Sequence, residues 1–362
     1  MPPLGALIRG HLRELRGQLR YRLGLVLQRL IGRRHTASRL DPLQIRSVLI
    51  GRINGRLGNT LFLTPMIARL HELLPEARID LALSYPYAPA LLAGMPGVGE
   101  VILFPHKGAG LIPKYWRALR QLRARHYDLA IDPTPYSTSG RLILALVHAR
   151  FRLGFSLPSQ WAALTHAVPL PAAPLHQGRQ PAYLVEAALG DGREPAALQL
   201  RLPLRPEELA AGRAAIQAAL TAAGADANAG RPVLGYFGHA TGLKALPPAW
   251  WARFWQALLA LHPEVLPLEF LPGPAAAPTV AGLASLHLPS QRQLTAAIAS
   301  LRLFVSADAG PMHLASATDT PTMGLFQVTD PTLYGPLKAA DRSIDAAHTT
   351  PEAVAALVSA AF

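Results

Sequence analysis

No cysteine occurs in the 362 residues, which excludes a disulfide framework, a thiolate-bound zinc and a cysteine nucleophile. A reducing, cytoplasmic address is the expectation that fits this absence. Charge is also sparse: 16% of residues are charged while half are hydrophobic, so the chain is not disordered. Its 29 Gly and 34 Pro follow no repeating period, which excludes collagen-like and solenoid designs. Acidic residues are the scarcer sign, 22 against 35 Lys and Arg. The resulting formal charge of +13 favours anionic partners such as phosphates or acidic lipid surfaces. The length leaves room for about two domains, each able to bury its own core.

The first forty residues hold nine Arg and one acidic residue, Glu14. Ile8, Leu12, Leu15, Leu19, Leu23, Val26 and Leu30 recur at spacings of three and four, the stripe of an amphipathic helix. Arginines interrupt every apolar run well below the ~18 residues of a membrane span, and the pattern is no signal peptide. This basic helix suits an anionic membrane surface, or else the body of the protein itself. Nucleic acid is not an expected partner, because Tyr21 is the only aromatic residue among these charges.

Beyond the helix, short apolar runs alternate with helical patterns. Strands are expected at 46–53, 79–84, 101–104, 127–132 and 151–155, with helices at 59–74, 113–124 and 139–149. After a proline-rich and then polar interval the pattern restarts, with strands at 232–237, 265–271, 303–306 and 322–326 and helices at 248–261, 292–300 and 311–318. Such alternation predicts an α/β protein with two doubly wound, Rossmann-like domains facing across a cleft. The expected divisions are 1–42 as the basic extension, 43–205 as one domain, 206–230 as linker and helix, and 231–362 as the other. Ligands of such sheets bind outside the carboxyl ends of the strands.

Two stretches just past those ends carry candidate chemistry. Asp308-Ala309-Gly310-Pro311-Met312-His313 starts a helix at Pro311, whose positive end offers backbone N–H groups to an anion. Asp308 either accepts hydrogen bonds from sugar hydroxyls or only caps the turn. In His239-Ala240-Thr241-Gly242-Leu243-Lys244, Thr241 and Lys244 suit a diphosphate, the lysine neutralising a leaving group. Arg52 and Arg56, after the first strand, suit acceptor phosphates.

Together with Thr320-Pro321-Thr322, Leu325-Phe326, Thr329-Asp330-Pro331 and Gly335-Pro336, the Asp308 run resembles the carboxyl-terminal signature of glycosyltransferase family 9, the lipopolysaccharide heptosyltransferases. The resemblance spans roughly residues 46–345. It implies a GT-B fold with the acceptor on the first domain and a nucleotide-sugar donor, ADP-heptose first among them, on the second. It implies inverting transfer to a lipopolysaccharide core or other anionic lipid-linked saccharide, at the cytoplasmic face of the inner membrane, with the donor as a substrate and no cofactor or metal. By resemblance, Asp308 touches the donor sugar. Thr241, Lys244, Ala309, Gly310 and Pro311 hold its phosphates, and Met312 and His313 complete the motif by contact or by packing.

Four departures accompany the match. The proposed base of the family is an Asp where this chain has Asn59, after Gly58, and an amide takes no proton at neutral pH. Asp132 is the substitute base that the sequence offers. Ala309 lacks the usual hydroxyl, the turn Leu271-Pro272-Gly273-Pro274-Ala275-Ala276 lacks a carboxylate for the donor ribose, and Gln327-Val328 replaces Gly-Pro. A degenerate protein that binds a nucleotide sugar or a partner enzyme without turnover is therefore the competing expectation. A nucleotide-sugar epimerase shares the architecture but needs an acid and base pair that the sequence does not offer.

Overall fold

The structure is a computed structural model that describes residues 39–105, 111–157, 164–191, 198–225 and 230–361, with positions 22 and 26 besides. The expected amino-terminal amphipathic helix falls almost wholly outside the described residues. Leu40 already belongs to the body: its side chain is buried and its N–H donates to the Ala188 carbonyl.

Six strands, β1 (Ser47–Arg52), β2 (Arg78–Leu83), β3 (Val98–Leu103), β4 (His126–Asp132), β5 (His148–Ser156) and β6 (His166–Pro169), form the first sheet. Their order is β3-β2-β1-β4-β5-β6, and all pairs are parallel. The second sheet uses β7 (Val233–Phe237), β8 (Leu266–Phe270), β9 (Ala284–Leu286), β10 (Leu303–Ala307), β11 (Thr322–Phe326) and β12 (Arg342–Asp345). Its order, β12-β11-β10-β7-β8-β9, repeats the first topology, again all parallel. Central strands such as β1, β10 and β11 are buried along most of their length. Helices cover both faces, which is why these strands read as continuous apolar runs.

The helix expected at 59–74 is two helices, Leu57–Leu61 and Thr64–Leu73. Pro65 explains the break, since it lacks the N–H that would bond the Leu61 carbonyl and its ring crowds that oxygen. The Thr64 hydroxyl donates to the Leu61 carbonyl instead, at 2.8 Å. The interval expected to interrupt the pattern contains β6 and the helix Gln180–Leu189, which packs on Thr64–Leu73. There the buried Arg69 guanidinium meets Glu72, Glu186 and Asp191. Helix Pro206–Ala222 packs against helix Gln291–Ile298 and β9, within the second half. Arg292 ties the halves together: it pairs with Glu208 and donates to the carbonyls of Leu91, Ala93 and Pro203.

Candidate active site

Each sheet reverses its winding once, between β1 and β4 in the first and between β7 and β10 in the second. The residues just past those four strands gather at the seam between the domains. Arg52, Gly58 and Asn59 follow β1, Asp132 closes β4, His239, Thr241 and Lys244 follow β7, and Asp308 follows β10.

On the second domain, Lys244 Nζ lies 2.7 Å from Asp308 Oδ2. Asp308 is buried while Lys244 is partly exposed. Thr241 is exposed at the start of the 3-10 turn Gly242–Lys244. Ala309, the N-cap of helix Gly310–Ser316, makes no side-chain cap. The two glycines of the motifs serve the seam. A Cβ at Gly310 would lie 2.8 Å from Leu57 Cδ2, and one at Gly58 would lie 2.9 Å from His313 Cδ2. Gly310 thus admits the facing domain, where the sequence suggested approach of a phosphate. Met312 is fully buried with its sulfur over Gly324 of β11, so its side chain packs and does not face the seam. His313 is buried against the edge of Phe62, ring centroids 4.9 Å apart.

Glu269 was not singled out by the sequence reading, although a carboxylate inside the apolar run Leu266–Phe270 is itself a signal. It is fully buried, accepts from the Tyr236 hydroxyl and from the Thr279 N–H and hydroxyl, each at 2.8 Å, and faces His239 Nε2 at 3.2 Å. These bonds tie the end of β7, which leads into the turn with Thr241 and Lys244, to β8 and the loop at Thr279.

On the first domain, Arg52 is buried and donates from Nη2 to Asn59 Oδ1 at 3.3 Å. Its Nε and Nη1 have no hydrogen-bond partner among the described residues. Burial pulls Arg52 down to about 10, against the pull of Asp132 and Tyr334 in the other direction. Arg56 is exposed. Nearby, at the carboxyl ends of β2 and β3, a cavity of about 570 Å³ is lined by Gly55, Ser84, Phe104, Lys114, Arg117 and Gln121 among others.

Asp132 differs from the accessible base that the sequence suggested. It has no exposed surface, its Oδ1 accepts the Thr134 N–H, and its Oδ2 lies 3.5 Å from Arg141 Nε. Burial pushes it up to about 6, opposed by Arg141, the Thr134 N–H and Arg52. Its carboxylate is the counter-ion of two buried arginines, Arg141 and Arg52. Asp132→Asn is therefore expected to destabilise the fold by roughly 3 to 5 kcal/mol, the cost of leaving a buried partner uncompensated. A melting curve checks this: an unchanged midpoint with lost transfer would return Asp132 to the role of base.

Two buried histidines, His176 and His313, pack against Phe62 at the seam. His176 accepts the Gly178 N–H at Nδ1 and donates from Nε2 to the Gly335 carbonyl, and so is neutral. Burial pulls both His176 and His313 down to about 4. For His176 the Gly335 bond opposes the shift and Arg179 adds to it; for His313 Asp308 opposes it, while His176 and Lys244 add to it. A folded pKa below the unfolded value contributes stability above pH ~6.5, which is lost as the pH falls towards 4. Asp132, raised in the fold, works the other way, losing stability as the pH rises from ~4 to about 6. With two histidines against one carboxylate, the melting temperature should fall between pH 6.5 and 4.5, and His176→Gln with His313→Gln should flatten the fall. An equally steep fall in that double variant would remove the histidines as its cause.

Among the described residues no group of three His, Asp or Glu is placed to hold a metal ion, and no helix is long and apolar enough to cross a membrane. The profile of glycosyltransferase family 9 (heptosyltransferase) matches residues 277–356, the stretch that includes Asp308 and its helix. Lipopolysaccharide heptosyltransferase 3 of Escherichia coli is 25% identical over 301 residues, 77% of this chain and 83% of that protein. Among solved structures, a glycosyltransferase of family 9 from Veillonella parvula aligns with a TM-score of 0.68 at 19% identity, covering 85% of this chain and 88% of its own. The E. coli ADP-heptose lipopolysaccharide heptosyltransferase II aligns with a TM-score of 0.67 at 20% identity, covering 88% and 98%. With the repeated sheet topology, these likenesses give the fold as GT-B.

Proposed function

We propose that the chain is a glycosyltransferase of family 9, whose profile matches residues 277–356, and that it moves a heptose from ADP-heptose to a lipopolysaccharide core or another anionic lipid-linked saccharide. The observation that carries this reading is the Lys244–Asp308 pair at 2.7 Å, at the winding reversal of the second sheet and across the seam from Arg52 and Asn59. When the donor binds, Asp308 accepts from sugar hydroxyls, and Lys244 turns to the diphosphate, with Thr241 and the amides at 309 and 310 beside it. The acceptor oxygen attacks the anomeric carbon from the opposite face. The bond to the diphosphate breaks, its electron pair stays with the departing nucleotide, and Lys244 neutralises the growing charge. The donor is a substrate, and no metal enters the scheme.

The unpartnered N–H groups of Arg52, with Arg56 and the Lys114 and Arg117 side of the cavity, provide positive charge for acceptor phosphate or carboxylate groups. Asn59, held by Arg52, hydrogen-bonds the attacking hydroxyl, whose proton passes to solvent water as the new bond to the anomeric carbon forms. The protein works at the cytoplasmic face of the inner membrane, with its basic amino-terminal segment on the anionic surface.

A thermal-shift panel of ADP-, GDP- and UDP-sugars tests the donor. A ligand at about 100 times its Kd stabilises by ~2.7 kcal/mol, and ADP-heptose should give the largest shift. A larger shift with a GDP- or UDP-sugar would overturn the choice of nucleotide. Asn59 is the one observation that favours a second reading, binding without turnover.

A further inference from the structure

Helix Leu111–Arg123 has three distinct faces. Ala118, Leu119 and Leu122 are buried against the first sheet. Lys114, Arg117 and Gln121 line the cavity. The third stripe, Ile112, Trp116, Arg120 and Arg123, follows spacings of four, four and three and faces solvent. Ile112 is 70% exposed and Trp116 54%, among the most exposed large apolar side chains described. The helix contains no acidic residue, and neither do positions 106–110 before it. None of Lys114, Arg117, Arg120 and Arg123 has an ion-pair partner among the described residues.

We propose that this stripe is a bilayer-docking surface for anionic lipid, distinct from the basic amino-terminal segment. The chemistry of the stripe selects the occupant. A Trp and an Ile one turn apart suit the boundary between headgroups and acyl chains. Two arginines one and two turns further on extend their heads to anionic headgroups while their stems cover apolar surface. A nucleic acid would satisfy the arginines but leave Ile112 in water. Docking by this stripe brings the adjacent Lys114 and Arg117 face, and with it the cavity mouth, to the headgroup level, where a lipid-linked saccharide is presented. The inference uses none of the transfer chemistry.

The test uses the full chain and vesicles of phosphatidylethanolamine and phosphatidylglycerol with brominated acyl chains. Tryptophan emission of the wild type should be quenched on binding, and Trp116→Phe should lose that quenching while still sedimenting with the vesicles. Combining Ile112→Ser, Trp116→Ser, Arg120→Gln and Arg123→Gln should weaken partitioning roughly tenfold or more. All four side chains are exposed, so an unchanged melting temperature should accompany that loss, and transfer to a soluble acceptor fragment should persist. Equal quenching in wild type and Trp116→Phe, or unchanged partitioning of the fourfold variant, would overturn the proposal. So would a Trp116-dependent dimer without quenching, which would make the stripe a contact between two copies. Because transfer to the soluble fragment is measured separately, failure here is distinguishable from failure of the catalytic reading.

Discussion

Lys244→Ala is expected to lower turnover with the true donor by at least tenfold, more than about 1.4 kcal/mol of transition-state stabilisation. The ammonium lies 2.7 Å from Asp308, and the diphosphate, already anionic in the donor, gains a further negative charge as the anomeric bond breaks. Its loss should therefore appear mainly in kcat, because an interaction strengthened in the transition state raises turnover and not merely binding. The fold should survive, since Lys244 is partly exposed and ends a short 3-10 turn. The measurement is steady-state transfer alongside a melting curve. Unchanged turnover would remove Lys244 from the site, whereas a collapsed melting transition would assign the lysine to stability through Asp308.

Asn59→Asp is expected to raise transfer at least tenfold, a gain of function in a single step. General-base assistance is typically worth 10²- to 10⁴-fold, and the position lies at the seam beside Gly58, which packs on His313. Arg52 Nη2, now 3.3 Å from the amide oxygen, would pair with the new carboxylate and keep it ionised at neutral pH. The gain should disappear in acid as that carboxylate is protonated. A variant that binds donor normally but transfers no faster would show that proton removal does not limit the native reaction, or that the acceptor hydroxyl lies elsewhere.

Much of this arrangement was legible in the sequence because buried parallel strands leave unbroken apolar runs and because helices such as Pro248–Leu261 open on a proline. The short strands β6, β9 and β12, of three or four residues, carry too little pattern to be seen. Helices Gln180–Leu189 and Pro351–Ser359 are rich in apolar residues with only weak amphipathicity, which blurs their period. Reading past the strand ends located Arg52, Lys244 and Asp308, since topology alone sends those residues to the seam. What could not be read were contacts between distant segments: Leu57 against Gly310, Arg141 over Asp132, and the Tyr236 and Thr279 shell of Glu269. Those contacts add a seam role for Gly310 and set Asp132 against a buried arginine.

The most direct test is to incubate the purified wild type and Asn59→Asp proteins with ADP-heptose and a lipopolysaccharide core acceptor that lacks the heptose, and to follow the product by mass spectrometry. Transfer of one heptose with release of ADP, slow in the wild type and faster in Asn59→Asp, is the predicted result. No transfer by either protein with a competent acceptor and a full donor panel, although the donor still shifts the melting temperature, would contradict it and leave a protein that binds a nucleotide sugar without turning it over.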